Sequence, residues 1–279
     1  MPFVAVLGCG PLAGALAHAL AVRDRVPEVR LVDPAEAVAR GKALDITQSA
    51  PVDAFSTRVT SAGALEAAAG AAVLVVADAA DGAEHRGEAG LSLLRRLHAI
   101  DTETPILCAG AEGRELIARG VTELRIPPSR ILGSAPLALE SALRALAGIA
   151  MDRTGAEIGL RVVGVPPDSA VVAWEGAGAG GEPLTAQLPA HVLSGLTGRI
   201  RGLWPPGPYA LGAAGARVAE ALVNGARRRF TCFVAMHAGP VRAAVTAMPV
   251  ELEVGGVRRI LEPALTRQER TRLENALER

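Results

Sequence analysis

The sequence predicts an α/β fold in which a doubly wound parallel sheet is followed by a smaller α+β region. Short apolar runs alternate with helix-like stretches through the first half of the 279 residues, as in parallel sheets whose strands are joined by helices. A glycine-rich turn separates the first apolar run from the first helix-like stretch. The second half carries consecutive extended runs of alternating residues, which is typical of antiparallel strands.

The first unit of the chain has the order strand, turn, helix, strand. The apolar run Phe3–Leu7 meets the turn Gly8-Cys9-Gly10, and the Ala- and Leu-rich stretch Leu12–Val22 follows. A second apolar run, Val29–Val32, ends at Asp33. This order is the structural context of the dinucleotide-binding fingerprint, so we expect a Rossmann-type sheet.

Each residue of this fingerprint has a predicted role. Gly8 allows the tight turn, Gly10 lets the backbone approach a pyrophosphate, and Ala13 allows close packing of helix and strand. The helix N-terminus offers N–H groups and a positive dipole end to the phosphates. A carboxylate at Asp33 accepts hydrogen bonds from ribose hydroxyls and repels a 2′-phosphate, which favours NAD over NADP. The predicted NAD-binding residues are Gly8, Gly10, Pro11, Leu12, Ala13 and Asp33. The alternative is a Rossmann-like domain that binds no nucleotide, because a fold does not fix a function.

The remainder of the first half continues the alternation. Apolar positions from Val38 to Ile46 suit an amphipathic helix that Pro51 ends. Val73–Ala77 and Pro105–Cys108 are predicted to be buried strands, as parallel sheets require. Asp78–Gly90 is polar and contains glycine, which predicts a loop and a candidate lid.

The second half predicts a separate domain of α+β type. Phe230–Met236 and Ala243–Val254 alternate like antiparallel strands, and Leu211–Arg227 is a long predicted helix. The stretch Gly176–Gly181 predicts a disordered segment or a flexible turn. We therefore divide the chain into a predicted NAD(P)-binding domain over residues 1–134 and a substrate-type domain over residues 135–279.

Composition limits the classes of partner. Acidic and basic residues balance at 29 each, which argues against nucleic acid or an anionic membrane as the main partner. No apolar run approaches about eighteen residues, so a cytoplasmic protein is expected. The three cysteines have no spacing typical of zinc or of a disulfide framework, and we predict no metal site. His18 is expected on a helix surface or an interface, His191 at a helix start and His237 in a loop.

Five segments together resemble the NAD-dependent lactate/malate dehydrogenases over nearly the whole chain. The turn GCGPLAG is similar to the family's GAGNVG, and GKALDITQSAP at Gly41–Pro51 is similar to its GKALDLxxAxP helix. The other three segments are Pro127–Ser134, Ala210–Leu222 and Met248–Glu262. The resemblance implies hydride transfer between NAD and a small 2-hydroxy or 2-oxo acid, and a homodimer or homotetramer. It also implies a His that transfers the proton, an Asp that orients it, two Arg residues on the substrate and an Asn in the pocket.

The sequence departs from the family at these catalytic positions. Pro166 stands where the family has the His, and proline cannot titrate. Gly110 replaces the Asn, and the segment that carries the orienting Asp and the carboxylate-binding Arg falls on Leu139–Ala142. Glu140 and Arg144 lie four residues apart and are suited to pair on one helix face. These losses predict weak or no lactate or malate oxidation.

Three candidates remain for catalysis, namely His85 as a displaced base, Arg86 in the lid and Arg144 as a carboxylate clamp. They leave three hypotheses open. The first is a family member that binds NAD but has lost the usual catalysis, and acts as a sensor, a scaffold or a partner of an active paralogue. The second is an active oxidoreductase on another 2-hydroxy or 2-oxo acid that uses His85 and Arg86. The third is a non-catalytic oligomeric interaction protein that binds no nucleotide.

Overall fold

A computed structural model describes residues 1–236 and 244–277 of the chain. Six strands of the first half form a parallel sheet in the order β3-β2-β1-β4-β5-β6. This order is that of a doubly wound sheet, the class of sheet predicted from the sequence. The elements of this half are the strands β1 (Phe3–Leu7), β2 (Glu28–Val32), β3 (Arg58–Ala62), β4 (Val73–Val76), β5 (Ile106–Cys108) and β6 (Ile131–Gly133), and the helices α1 (Pro11–Arg23), α2 (Glu36–Asp53), α3 (Gly87–Ile100), α4 (Gly113–Glu123) and α5 (Ala135–Ala150).

The second half is mostly antiparallel and joins the same sheet. Its elements are β7 (Ile158–Gly159), β8 (Val162–Val165), β9 (Ser169–Val172), β10 (Gly178–Ala179), β11 (Glu182–Pro183), α6 (Leu184–Gln187), α7 (Ala190–Gly198), α8 (Pro208–Asn224), β12 (Ala226–Met236), β13 (Ala244–Glu253), β14 (Gly256–Ile260) and α9 (Arg267–Leu277). Strand β12 pairs with β6, with Phe233 opposite Gly133, and β13, β8 and β9 follow. Within the described residues the sheet has eleven strands, because β14 also pairs with β13. The predicted fold class is confirmed, and the division at residue 134 stays a prediction.

The core is built from small and branched aliphatic side chains. Strands β1 and β4 are buried along their whole length, as expected for strands covered on both faces by helices. Helix α1 packs against α8, which ties the glycine turn to the second half of the chain. Phe233 is fully buried and meets the Trp204 ring edge to face, with 6.1 Å between the centroids.

Two predictions about local structure are wrong. Pro51 lies inside α2, which continues to Asp53, because proline removes only one N–H and the N–H of Ala54 still closes the last turn on the carbonyl of Ala50 at 2.8 Å. Gly178–Ala179, within the predicted flexible glycine stretch, forms β10 and pairs with β7 and β11. The stretch is ordered because its backbone groups pair in a small sheet and Gly180 and Gly181 supply the left-handed turn. His237 lies outside the described residues.

The described residues contain neither a membrane-spanning helix nor a metal-binding cluster. Over 1–236 and 244–277, none of the helices combines the length and the apolar character needed to cross a bilayer. The same residues contain no cluster of three or more His, Cys, Asp or Glu side chains that could bind a metal ion.

Candidate functional site

The glycine turn after β1 lies directly against the end of β4. Gly8 has a φ of 117°, and its N–H donates to the carbonyl of Val32 at 2.9 Å. A Cβ atom on Gly8 would overlap with the backbone carbonyl of Asp78. The residue is therefore glycine both for its backbone angle and because the neighbouring strand approaches so closely.

Asp78 binds the N-terminus of α1 with its side chain. One carboxylate oxygen accepts from the N–H of Leu12 at 3.0 Å, and the other accepts from the N–H of Ala13 at 2.8 Å. The N–H of Gly10 donates to the Asp78 backbone carbonyl at 3.1 Å, and Pro11 has no N–H. The N–H groups of Gly10, Leu12 and Ala13 thus all donate to Asp78, and Pro11 has no N–H group to donate. We call this set of donors, Gly10 to Ala13, the phosphate seat.

The Asp78 side chain also occupies the space beside Gly10. A Cβ atom on Gly10 would overlap with the carboxylate of Asp78. Asp78 is only 4% exposed, so its charge is held inside the protein by the two amides and the helix dipole. A dinucleotide's pyrophosphate needs the same N–H groups and the same space. In this conformation the residues of the phosphate seat do not fit a pyrophosphate.

A cavity of about 590 Å³ opens beside the phosphate seat, at the carboxyl ends of β1 and β2. Its walls are mostly apolar and are formed by Leu7, Gly8, Val32, Asp33, Pro34, Ala35, Gly63, Ala64, Leu65, Glu66, Ala79, Ala80, Asp81, His85, Ala89, Ser92, Leu93 and Arg96. Asp33 is 4% exposed, and one of its carboxylate oxygens accepts from the N–H of Ala35 at 2.8 Å. The crevice at the carboxyl ends of the strands is where doubly wound sheets bind ligands, so we call this cavity the adenosine-end cavity.

Charges in the adenosine-end cavity are predominantly negative. Asp33, Glu66 and Asp81 line it, while Arg96 is the basic residue there that carries a permanent charge, and it pairs with Glu66 at 3.8 Å. Burial lowers the pKa of the His85 imidazole, although nearby aspartates act in the opposite direction. His85 is therefore neutral at pH 7, and the cavity offers little positive charge to an anionic ligand.

The loop that follows β4 folds back on itself and covers the neighbouring strand end. Asp78 and Glu84 form an antiparallel bridge, and the N–H of Ala79 donates to the carbonyl of Ala83 at 2.9 Å. The carboxylate of Glu84 accepts from the N–H groups of Ala111 at 3.0 Å and Glu112 at 2.8 Å, immediately before α4. Residues 78–84 are called the internal loop below.

Gly110 is the position at which the sequence resemblance implies an Asn. A Cβ atom on Gly110 would overlap with the Glu84 carboxylate. The Glu84 side chain thus fills the space that a larger residue at position 110 would need. Two separate sets of backbone N–H groups at the carboxyl edge of the sheet are therefore occupied by carboxylates from one loop.

Lys42 of α2 also contacts the first glycine turn. Its Nζ donates to the carbonyl of Gly10 at 3.2 Å, and the side chain is half-buried on α2. The ammonium group brings positive charge to the turn that holds the buried Asp78 carboxylate. This contact ties the GKALD segment, which carries part of the family resemblance, to the fingerprint turn.

The structure does not bring the three predicted catalytic candidates together. His85 lines the adenosine-end cavity, and the exposed Arg86 precedes the first turn of α3. Arg144 lines a different cavity of about 610 Å³, where its guanidinium donates to the carbonyl of Ala156 at 3.4 Å. The two cavities share no lining residue.

Glu140 and Arg144 do not form a direct ion pair, although the Arg144 charge acts on the Glu140 carboxyl. Glu140 is 1% exposed, and it pairs instead with Arg161 at 2.9 Å and accepts from the Thr231 hydroxyl at 2.5 Å. Burial raises the pKa of the Glu140 carboxyl, while the Arg161 charge opposes that effect. The side chain points into the protein because strands β8 and β12 supply its partners, which helix spacing alone does not reveal.

Pro166 lies in the turn between β8 and β9. The turn residues are Pro166, Pro167 and Asp168, and Pro166 is buried. Asp168 is exposed and pairs with Arg201 at 3.1 Å. The position at which the resemblance places the proton-transferring His thus holds a side chain without a titratable group.

Sequence reasoning missed the two carboxylates of the internal loop. Asp78 directly follows a predicted buried strand, and parallel strands end at one edge of the sheet. The sequence could therefore have predicted that Asp78 lies near the first glycine turn. Asp78 was not considered as a partner of the turn because Asp78–Gly90 was interpreted as a candidate lid. The contact of Glu84 with Ala111 depends on how the loop folds back, and the sequence carries no comparable signal for that.

Comparisons with known proteins agree with the resemblance seen in the sequence. No family model matches the chain. Curated relatives include L-lactate dehydrogenase A of Rhizopus oryzae, 26% identical over 99% of this chain and 90% of that protein. The malate dehydrogenase of Thermomicrobium roseum is 23% identical over 98% of this chain and 94% of that protein.

Solved structures give the same result for the fold. The malate dehydrogenase of Salinibacter ruber has a TM-score of 0.86 at 21% identity and covers 99% of this chain and 94% of its own. A lactate dehydrogenase of Cryptosporidium parvum, solved with lactic acid and NAD, has a TM-score of 0.85 at 19% identity, covering 99% of this chain and 95% of its own. The resemblance to lactate and malate dehydrogenases is therefore confirmed, over the whole chain and at low identity.

Proposed function

We propose that this chain, a whole-length but distant relative of the lactate and malate dehydrogenases, is a ligand-binding member of that family that does not oxidise lactate or malate by the family's route. The observation that carries the proposal is Pro166 at the position of the proton-transferring His. Without a base the hydroxyl proton has no acceptor as the hydride leaves. Leu139 and Gly110 at the other matching positions support the same conclusion.

The ligand site of this proposal is the adenosine-end cavity. Its volume of about 590 Å³ lies within the range of small-molecule sites, and its walls are mostly apolar. Asp33 supplies a buried carboxylate at the end of β2, which suits the hydroxyls of a ribose. NAD is the cofactor that the resemblance implies, but binding of its pyrophosphate requires Asp78 to leave the phosphate seat, so we derive no hydride-transfer step.

Two measurements test this function. The first is a titration of NAD, NADH and adenosine onto the purified chain by calorimetry or thermal shift, in which we expect a ligand with an adenosine group to bind and Asp33→Ala to weaken its binding about 10- to 100-fold. The second is a screen of pyruvate, oxaloacetate and other 2-oxo acids with NADH, in which we expect no turnover above the protein-free rate. Robust turnover would overturn the proposal.

One observation favours a second candidate, an active oxidoreductase on another 2-hydroxy or 2-oxo acid. His85 lies in the adenosine-end cavity with a lowered pKa, and a neutral imidazole can accept a proton. If turnover is found, replacement of His85 and of Arg86 by Ala should abolish it. Unchanged turnover in both variants would exclude this pair as the catalytic residues.

The assembly and location that we propose are a homodimer or homotetramer in the cytoplasm. Helices α1 and α2 are the proposed contact surfaces, and α2 exposes the apolar side chains of Leu44 and Val52. Sedimentation of the wild-type chain and of Leu44→Glu tests the contact. Identical monomeric behaviour of both would contradict it. We retain residues 1–134 and 135–279 as the proposed nucleotide-type and substrate-type domains.

A further inference from the structure

The phosphate seat of α1 has its full set of partners within the chain. Gly10, Leu12 and Ala13 each donate to Asp78, and the fourth residue of the set is proline. Helix α1 has no side-chain cap from its own N-terminal residues and no acidic residue in its first turn. Asp78, sixty-six residues away from Leu12, supplies both the acceptors and the negative charge that the helix end favours.

A second contact holds the same loop in place. Glu84 accepts from two successive N–H groups before α4, and Gly110 leaves the space that its carboxylate occupies. The bridge between Asp78 and Glu84 couples the two carboxylates. Each end of the loop therefore has a carboxylate that accepts from backbone N–H groups. Displacement of one end would disturb the hydrogen bonds of the other.

The adenosine-end cavity remains accessible beside this arrangement. The internal loop lines it with Ala79, Ala80 and Asp81 but does not fill it. Asp33 and Asp81 line the cavity, and Arg96 pairs there with Glu66 at 3.8 Å. A phosphate placed next to this cavity would meet the Asp78 carboxylate, while an uncharged nucleoside would not.

We propose that the internal loop is a built-in substitute for the phosphates of a nucleotide, and that Asp78 makes the cleft select an unphosphorylated nucleoside over a dinucleotide. The ligand class is a ribonucleoside such as adenosine, whose base contacts the apolar walls and whose vicinal hydroxyls donate to Asp33. This inference rests on the proposed function for the nucleoside, but its statement about the phosphate seat is tested separately.

The experiment compares adenosine, ADP and NAD on the full-length wild-type chain, Asp78→Ala, Asp78→Asn and Asp81→Asn by calorimetry. We expect wild-type protein to bind adenosine at least about tenfold more tightly than ADP or NAD, because like charges oppose the phosphates. Asp78→Ala should raise ADP and NAD affinity at least about tenfold and leave adenosine affinity unchanged. Asp78→Asn removes the charge but keeps the side-chain volume, so it measures the part of the effect that is due to charge. We expect it to raise ADP affinity less than Asp78→Ala does, and no gain at all would contradict the electrostatic part of the inference even if the alanine variant does not fold.

Asp81→Asn is the matched control for charge alone. Asp81 belongs to the same loop and cavity, but its carboxylate accepts from the N–H of Ala83 and not from α1. We expect a smaller change in ADP affinity than in either Asp78 variant. An equal change in all three variants would show a general charge effect and would overturn the role assigned to Asp78.

Inorganic pyrophosphate separates the two claims. We expect it to raise the thermal midpoint of Asp78→Ala and not that of the wild type. If this occurs while no variant binds adenosine, the phosphate-seat inference stands and the proposed nucleoside site fails. If wild-type protein binds adenosine but the Asp78 variants gain neither pyrophosphate nor ADP binding, the inference fails and the proposed function stands. Tighter binding of NAD than of adenosine by the wild type would overturn the inference outright.

Discussion

The two ends of the cleft along β1 and β2 use the same fold in different ways. At the adenosine end, Asp33 lines a cavity of about 590 Å³ between apolar walls. At the phosphate end, the N–H groups of Leu12 and Ala13 already bind Asp78. A glycine fingerprint therefore specifies room for a close approach to the helix N-terminus, but it does not specify whether a ligand or the protein's own side chain takes that room.

The largest effect is expected at the adenosine end. Replacing Asp33 by Ala should weaken adenosine binding about 10- to 100-fold, since a hydrogen bond to a charged group contributes about 1.5–3 kcal/mol. Calorimetry on both proteins measures the change. Asp45→Ala is the matched control, because it removes an exposed carboxylate of α2 that does not line the cavity. An equal loss of adenosine affinity in both variants would contradict the assignment of Asp33 to the adenosine end of the cleft.

The next effect concerns stability at the phosphate end. Without any ligand, Asp78→Ala should lower the free energy of unfolding by about 1–3 kcal/mol, because two buried amides lose their acceptor. Urea denaturation checks this value. The exposed Asp81 makes a local contact only, so Asp81→Ala should cost about 0.5 kcal/mol or less. An Asp78→Ala chain as stable as wild type would mean that the carboxylate does not hold the helix end.

A smaller and more local effect is expected from Glu84. Glu84→Ala should cost about 1 kcal/mol and speed hydrogen exchange at the amides of Ala111 and Glu112, which lose their acceptors. Glu115→Ala removes a carboxylate from the first turn of α4 without touching those amides, and serves as the control. Unchanged exchange in Glu84→Ala would show that the second contact of the loop is dispensable.

The smallest expected effect is the pH dependence of stability that comes from Asp24, at the opposite end of α1 from Asp78. Asp24 follows the helix with a φ of 51° and accepts from Ser56 and Thr57. The backbone N–H of Ser56, then the Thr57 hydroxyl, lower the pKa of the Asp24 carboxyl. The folded protein therefore holds fewer protons here than the unfolded chain, so stability is present above the ordinary carboxyl pKa and is lost as the pH falls.

Thermal unfolding between about pH 5 and pH 2 tests this sign. Asp24→Asn should show a weaker loss of thermal stability across this range than the wild type. Asp152 also has a left-handed backbone, with a φ of 53°, so Asp152→Asn controls for the substitution itself. A wild-type profile identical to that of Asp24→Asn would contradict the assignment.

Most of the sheet could be predicted from the sequence, because hydrophobic runs and glycine turns are local signals. The strand Phe3–Leu7 was predicted with the bounds that the structure shows, and Val73–Ala77 differs from β4 by one residue. The joining of β12 to β6 could not be predicted, since strand pairing between distant segments depends on the whole fold. This pairing crosses the division at residue 134, which stays a prediction.

The site was less predictable than the sheet. The fingerprint residues were identified, and Asp33 lies in a cavity as a ligand-binding carboxylate should. The end of its strand places Asp78 near the glycine turn, but Asp78 was missed as the occupant of the phosphate seat because a loop aspartate has no pattern that distinguishes an inward from an outward side chain. The true partners of Glu140 were missed for the same reason, since they lie on β12 and beside β8.

Lys42 gives the chain a built-in reporter position. It is the only lysine in the sequence, and its Nζ contacts the Gly10 carbonyl in the fingerprint turn. An amine-directed fluorophore would therefore modify one side chain, apart from the chain's terminal amine, next to the helix end that Asp78 caps. The emission of that label would report on the surroundings of the fingerprint turn, without any engineered cysteine.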